Sequence, residues 1–280
     1  MGLVINTNVA SINAQRNLGR TQSSLGTSLS RLSSGMRITA AKDDAAGLAI
    51  SEKLRAQIRG LGQAERNSND GISLVQTAEG ALNEVSGSLV RMRELAVQAA
   101  TGTLGTEERG YLNDEFSALM TEIDRIASVT EFNGKYLLNG ASSAGVSFQV
   151  GLNNTANDRI SVSIGNVNTL SIGNTSGSTL NGQNINTATG ARNALSVIDD
   201  AIKDISGARG GLGAAQNRLQ TTVNNLATQR ENLSAANSRI RDVDVAEETV
   251  NMTRSQILMQ AGVSVLAQSN QLPSMALSLI

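Results

Sequence analysis

From Ile198 to Ile240 an apolar residue returns at every seventh position: Ile198, Ile205, Leu212, Leu219, Leu226, Leu233 and Ile240. A seven-residue repeat sustained this long is the seam of a coiled coil, and at about 1.5 Å per residue the helix runs roughly 65 Å. That is far longer than an ordinary globular helix, so the chain must build an elongated bundle. The companion series Leu195, Ile202, Arg209, Gln216, Val223, Arg230 and Asn237 is interrupted by polar residues of the kind that fix register.

Two further stripes match it. Val75, Ala78, Leu82, Val85, Leu89, Met92, Ala96 and Ala99 keep the alternating three and four spacing without a break, and Leu112, Phe116, Leu119, Ile123 and Ile126 repeat it. Gly102 and Gly105 break the chain between them, and Thr106 followed by Glu107 and Glu108 reads as an N-cap with acids at the positive helix end. Leu82, Leu89, Leu212, Leu219, Leu226 and Leu233 are the expected bundle seam.

The chain ends carry weaker versions of the pattern. Leu18, Leu25 and Leu32 are seven apart, with Leu29 and Met36 completing a stripe; Leu258, Val265, Leu272 and Leu279 do the same at the other end. Between them lie mostly Ser, Asn, Gln, Gly and Ala, so each terminal helix alone buries little surface and is marginal without a partner. Pro273 is expected to kink the last helix or cost it a backbone hydrogen bond.

The period changes in the middle. Phe132-Asn133-Gly134-Lys135 is a turn signal, and Val146, Phe148, Val150 and Leu152, then Ile160, Val162 and Ile164, alternate about the turn cluster Asn153 to Asp158. A small β-hairpin is expected, followed over residues 165 to 190 by a Gly-, Asn-, Ser- and Thr-rich solvated loop or irregular β segment. The fold class is therefore mainly α: an elongated coiled-coil bundle formed by both chain ends, with a β-hairpin excursion. Its divisions are terminal helices over 1–40 and 243–280, a helical bundle over 41–140 and 191–242, and a surface-facing insertion over 141–190.

Composition removes most enzymatic chemistry. The chain has no Cys, His or Trp among its 280 residues, so no thiolate nucleophile, imidazole base, zinc cluster or disulfide can be built, and no cofactor is expected. Its 23 Lys plus Arg against 24 Asp plus Glu leave a formal net charge of −1, which offers nucleic acid and anionic lipid no attraction. No basic-then-apolar leader and no long apolar run are encoded, so a role outside the cell requires an export route without a cleaved signal peptide. Asp43-Asp44 reads as a helix start or inter-subunit salt bridge rather than a metal dyad, because adjacent carboxylates on a helix diverge by about 100°. Ser33-Ser34-Gly35 reads as a turn rather than a nucleophile, and Met252, Met259 and Met275 as adaptable packing.

One helix presents more than one adhesive face. With Met92 pointing inward, Val90 and Val97 point nearly opposite, while Arg91, Leu95 and Gln98 share a flank. A three-helix bundle needs one apolar stripe per helix, so the extra apolar positions favour lateral contacts between copies.

These residues lead to a family resemblance. Ile5-Asn6-Thr7-Asn8 with Asn17-Leu18, Leu32-Ser33-Ser34-Gly35-Met36-Arg37-Ile38 running into Asp43-Asp44-Ala45-Ala46-Gly47-Leu48-Ala49-Ile50, Arg91-Met92-Arg93-Glu94-Leu95-Ala96-Val97-Gln98, Phe132-Asn133-Gly134, and the tail Gln271-Leu272-Pro273 with Leu277-Ser278-Leu279 together resemble bacterial flagellin. The resemblance implies a non-enzymatic subunit that polymerises into the flagellar filament for swimming motility, with the terminal helices forming an inner core and ordering on assembly. Leu18, Leu25, Leu32, Leu258, Val265, Leu272 and Leu279 are then assembly-core positions. It also implies an extracellular location and a set of partners: copies of itself, the filament cap and hook-associated junction proteins, the flagellar type III export apparatus and a C-terminus-binding export chaperone. Arg91, Leu95 and Glu115 match positions through which similar flagellins engage Toll-like receptor 5 of vertebrate hosts, and with Gln98 they also suit lateral filament contacts. The competing flagellar reading is a hook-filament junction protein, and an enzyme or adaptor on a helical bundle is the third.

Overall fold

The computed structural model describes residues 7–174 and 178–277, with residues 272–277 by their backbone alone. Five helices carry the chain: α1 (Val9–Ser34), α2 (Ala45–Ala99), α3 (Thr106–Val129), α4 (Ala188–Arg241) and α5 (Val245–Leu277). Between α3 and α4 lie two short hairpins, β1 (Glu131–Phe132) with β2 (Lys135–Tyr136), and β3 (Val146–Gln149) with β4 (Arg159–Val162). Contacts divide the chain into two compact units, residues 1–58 with 231–280 and residues 59–230. The sequence-based divisions near 40 and 243 fall instead at the turns between helices. The contact boundaries, at 58/59 and 230/231, fall inside α2 and α4 and not at breaks between helices.

In the unit of residues 59–230 the predicted stripes form one apolar cluster. Val75, Ala78, Leu82, Val85, Leu89, Met92, Ala96 and Ala99 of α2 are fully buried with Phe116 and Ile123 of α3 and Ile198, Ile205, Leu212 and Leu219 of α4. Leu226 is buried as well, whereas Leu233, in the other unit, is half-buried. The second stripe of α4 differs from the expected one. Ala194, Ala201 and Ala215 are buried, while Leu195, Ile202, Arg209, Gln216 and Val223 lie at its half-exposed edge. Alanine permits closer helix approach than Leu or Arg, and the register follows that fit rather than the more apolar series. The α3 N-cap is also one residue early: Gly105 occupies it without a side-chain cap, Thr106 is the first helical residue, and Glu107 and Glu108 fill the first turn.

The hairpins follow the sequence. Asn133 (φ 50°) and Gly134 (φ 75°) are both left-handed, as a two-residue primed turn requires, and pair Phe132 with Lys135. Val146 pairs with Val162 and Phe148 with Ile160. The following segment is not the solvated loop its composition suggests. Val167, Thr169, Ile172, Leu180 and Ile185 are buried. Helix side chains satisfy its backbone: the Thr169 amide and hydroxyl donate to the two oxygens of Asp124 (2.8 Å each), Gly173 N–H donates to Asp204 (3.0 Å), and Ile185 N–H donates to Asn113 (3.0 Å). With its polar groups paired to carboxylates and an amide, this stretch can be buried despite few apolar residues.

In the other unit α1 and α5 run antiparallel. Asn8 caps α1 by accepting from Ser11 N–H, Gly35 ends it in the left-handed region (φ 69°), and Asp244 caps α5 by accepting from Ala246 and Glu247 N–H. The two turns zip together: Arg37 N–H donates to Arg241 O (2.6 Å), Val243 N–H to Gly35 O (3.1 Å), and the Arg241 guanidinium reaches Glu52 (2.7 Å). The helix α5 extends through Pro273 to Leu277, so proline does not end it.

Asp43 and Asp44 fasten the start of α2. Asp44 accepts from Gly47 N–H, and one Asp43 oxygen accepts from Ala40 N–H, the Thr39 hydroxyl and Thr39 N–H. The Ala40 amide foremost, then the Thr39 hydroxyl and amide, and more weakly the Arg31 guanidinium, hold the Asp43 carboxyl below its usual 3.8. A lowered folded value means that ionised Asp43 favours the folded corner. Its contribution is complete above 3.8 and is lost as pH falls beneath that through the lowered value. The Thr39 and Ala40 amide resonances are expected to titrate in that acid window, and Asp43→Asn to remove the titration. An unchanged titration in the variant overturns the assignment.

Candidate assembly surfaces

Two helices from opposite chain ends pair through a seam in which Leu and Met alternate with small and polar residues. On α1 the seam is Ser11, Ala14, Leu18, Thr21, Leu25, Ser28 and Leu32; on α5 it is Glu248, Met252, Ser255, Met259, Gly262, Leu266 and Ser269. Both series step by alternate threes and fours, the spacing of a coiled coil. The predicted α1 positions Leu18, Leu25 and Leu32 therefore lie in the seam, half-buried. The predicted α5 positions do not: Leu258 is 53% and Val265 52% exposed, and the seam residues are their neighbours Met259 and Leu266. Leu272 lies on α5 with its side chain undescribed, and Leu279 is outside the described residues.

The displaced positions belong to a second, outward face. Val250, Ile257, Leu258, Val263 and Val265 of α5 are all more than half exposed, as are Val9 and Leu29 of α1. Val250, Ile257 and Leu258, with Thr249, Thr253 and Arg254, line a shallow, mainly apolar groove. The pair is inverted relative to an ordinary helix hairpin. Serine, glycine and a buried glutamate face the partner helix while branched aliphatics face water. Val250, Ile257, Leu258 and Val265 share one side of α5, while Val263 flanks the seam, and exposed aliphatics grouped in this way mark a surface to be covered. Sequence reasoning missed Val250, Ile257 and Val263 because it sought one apolar stripe on α5, a helix whose aliphatics are spread around its circumference.

The predicted flank on α2 is only partly a surface. Arg91 donates through Nε to Glu115 of α3 (2.8 Å) and through Nη1 to Glu94 (3.0 Å), and Arg91, Gln98 and Glu115 are exposed. Leu95 is 1% exposed and belongs to the core, so its side chain presents nothing to a partner. Three residues beyond Met92 at about 100° each bring it within about 60° of the inward direction, inside the buried sector. Val90 and Val97, 48% and 51% exposed, lie on the opposite side as the helical wheel requires. A second exposed pair, Arg93 with Asp199 (2.7 Å), ties α2 to α4. Exposed pairs of this kind contribute little to stability, so they are free to exchange partners in an assembly.

Among the described residues no group of three acidic side chains could hold a metal, and no helix is long and apolar enough to cross a membrane. The sites that the geometry does build are faces of long helices.

Known proteins match the chain along nearly its whole length. Residues 5–143 match the model of the bacterial flagellin N-terminal helical region, and residues 195–280 that of the C-terminal helical region. The chain is 48% identical over 278 residues to a flagellin of Halalkalibacterium halodurans, covering 99% of this chain and 100% of that one. It is 45% identical over 303 residues to a flagellin of Bacillus subtilis, covering 99% of each. The crystal structure of Bacillus cereus flagellin superposes with a TM-score of 0.50 at 32% identity, over 61% of this chain and 94% of that one. Helical regions matched separately on both sides of a short β excursion, with near full-length identity to flagellins, place this chain in the bacterial flagellin family.

Proposed function

We propose that the chain is a structural subunit that polymerises into the flagellar filament through its two terminal helices, and that these helices acquire their full stability only within the polymer. The observation that carries this reading is the inverted α1/α5 pair, with small and polar residues at more than half of its inner seam and outward aliphatics at Val250, Ile257, Leu258, Val263 and Val265. Covering those side chains with neighbouring copies supplies the apolar burial that the isolated pair lacks, so folding of the ends and polymerisation become one linked process. Arg91, Gln98 and Glu115, with Val90 and Val97, form a lateral surface for further copies; the same surface suits Toll-like receptor 5. The filament cap, the junction proteins, the type III export apparatus and a C-terminus-binding chaperone are the remaining partners of an extracellular filament subunit.

The test is electron microscopy of the purified chain, dilute and then with sulfate or sheared filament seeds, since sulfate strengthens burial and seeds bypass nucleation. Long uniform tubes are expected. Monomers or short rings under every condition overturn the proposal and favour a junction protein.

A further inference from the structure

The α1/α5 seam has a weakness: serine, threonine, alanine and glycine fit nearly equally well when one helix slides past the other by a heptad. Yet four contacts share one antiparallel register. The Asn8 side-chain amide donates to Ser269 O (2.7 Å), the Ser11 hydroxyl donates to the Asn270 side chain (2.8 Å), Leu18 packs where a Cβ on Gly262 would come within 3.3 Å, and Arg31 faces Glu248 at 3.7 Å. Three of these involve small or neutral groups that a slipped pair replaces at little cost.

The fourth is different. Glu248 is only 6% exposed, and among the described residues its side chain forms an ion pair with Arg31. Arg31 Nε is itself buried without a hydrogen-bond partner among the described residues. The two charges meet in a polar pocket of about 390 Å³ whose lining includes Ser28, Asn251, Arg254 and Ser255. Each sits at the favourable pole of its helix, Arg31 in the last turn of α1 and Glu248 near the start of α5. Sliding by a heptad leaves the buried Glu248 carboxylate without the Arg31 guanidinium, which small-residue packing cannot offset.

We propose that Arg31 and Glu248 are the positioning residues that select the register in which the two chain ends pair, and hence the register competent to polymerise. This rests on the polymerisation reading above. A polar residue in a coiled-coil seam that selects one register at some expense of stability is a well-attested device.

The chain has no cysteine, so engineered cysteines report register cleanly. Ser11→Cys with Asn270→Cys reports the observed register at the end of the pair about 30 Å from Arg31. Ser11→Cys with Val263→Cys reports a one-heptad slip. Cross-linking is read in both soluble and seeded, pelleted protein. Arg31→Glu is expected to lower the in-register cross-link and the pelleted yield by about tenfold or more, as when one charge of a buried pair is stranded. Arg31→Glu with Glu248→Arg is expected to restore both to within about threefold of the starting chain, since the pair is re-formed. Arg31→Gln with Glu248→Gln, which strands no charge, is expected to keep the helices paired while the slipped cross-link appears. Arg31→Glu behaving as the starting chain, or a charge exchange that restores neither readout, overturns the assignment. If the unsubstituted chain never pellets, the polymerisation reading fails, and the soluble cross-links still judge the register claim.

Discussion

Replacing Leu258 and Val265 together by Asp is expected to abolish seeded polymerisation while leaving the melting of the residue 59–230 unit unchanged. Both side chains are half exposed in the single chain, and substitutions at such positions usually alter stability by no more than about 0.5 kcal/mol. In the proposed polymer the same positions are buried in every copy. Covering a Leu or Val fully contributes about 1.5–3 kcal/mol, and an unpaired carboxylate in its place reverses the sign. A loss of about 4 kcal/mol per subunit raises the concentration needed for growth roughly a thousandfold, beyond the range where seeds elongate. Sedimentation of seeded protein measures the loss, and circular dichroism melting provides the control. Normal filaments from the double variant would show that the outward face of α5 is not an assembly surface.

The same two residues show where sequence and structure part. Their heptad spacing is real, but the spacing does not say which neighbour covers them. In α2 and α4 the most apolar stripe faces the chain's own core, because that core is complete within one chain: Leu82, Leu89, Leu212 and Leu219 could be assigned from period alone. In α5 the most apolar positions face away, and Ser255, Gly262 and Ser269 face α1. Periodicity reports that a face is to be buried, not by what. Small residues in a seam carry no signal on a hydropathy scale, although Gly262 against Leu18 shows that they govern how closely the helices approach.

Two other differences have the same root. The Gly-, Asn- and Thr-rich stretch after β4 looked solvated, yet Asp124, Asp204 and Asn113 pair with its backbone amides across 45, 31 and 72 residues of sequence. Such pairings are invisible to local pattern. The helical wheel groups Leu95 with Arg91 and Gln98 on one flank, yet at about 60° from Met92 it lies inside the buried sector and is 1% exposed. By contrast, the Asn133-Gly134 turn and the hairpin about the Asn153 to Asp158 turn cluster were legible, because turn chemistry and a two-residue alternation are local properties.

Leu219→Asp is expected to do the converse of the α5 variant: to unfold the residue 59–230 unit and thereby remove every surface built on it. Leu219 is fully buried on α4, where it meets Gly71 of α2 closely enough that a Cβ there would lie 3.2 Å from its Cδ1, with Phe148 of β3 at the same distance from that point. Three elements thus converge on one side chain, and the space is already filled. Truncation of such a Leu to Ala costs about 2–5 kcal/mol, and Asp adds the penalty of burying a carboxylate. Since ordinary domains have only about 5–15 kcal/mol of stability, the unit is expected to lose its cooperative melt near room temperature. Urea unfolding of Leu219→Ala, which keeps the fold measurable, gives the size of the packing contribution. A Leu219→Asp chain with the original melt would mean that α4 does not use this face for its core, and the heptad from Ile198 to Ile240 would have to be reassigned. Paired with the Leu258 and Val265 variant, it separates the two kinds of apolar stripe: one whose loss destroys the monomer, and one whose loss is felt only when copies meet.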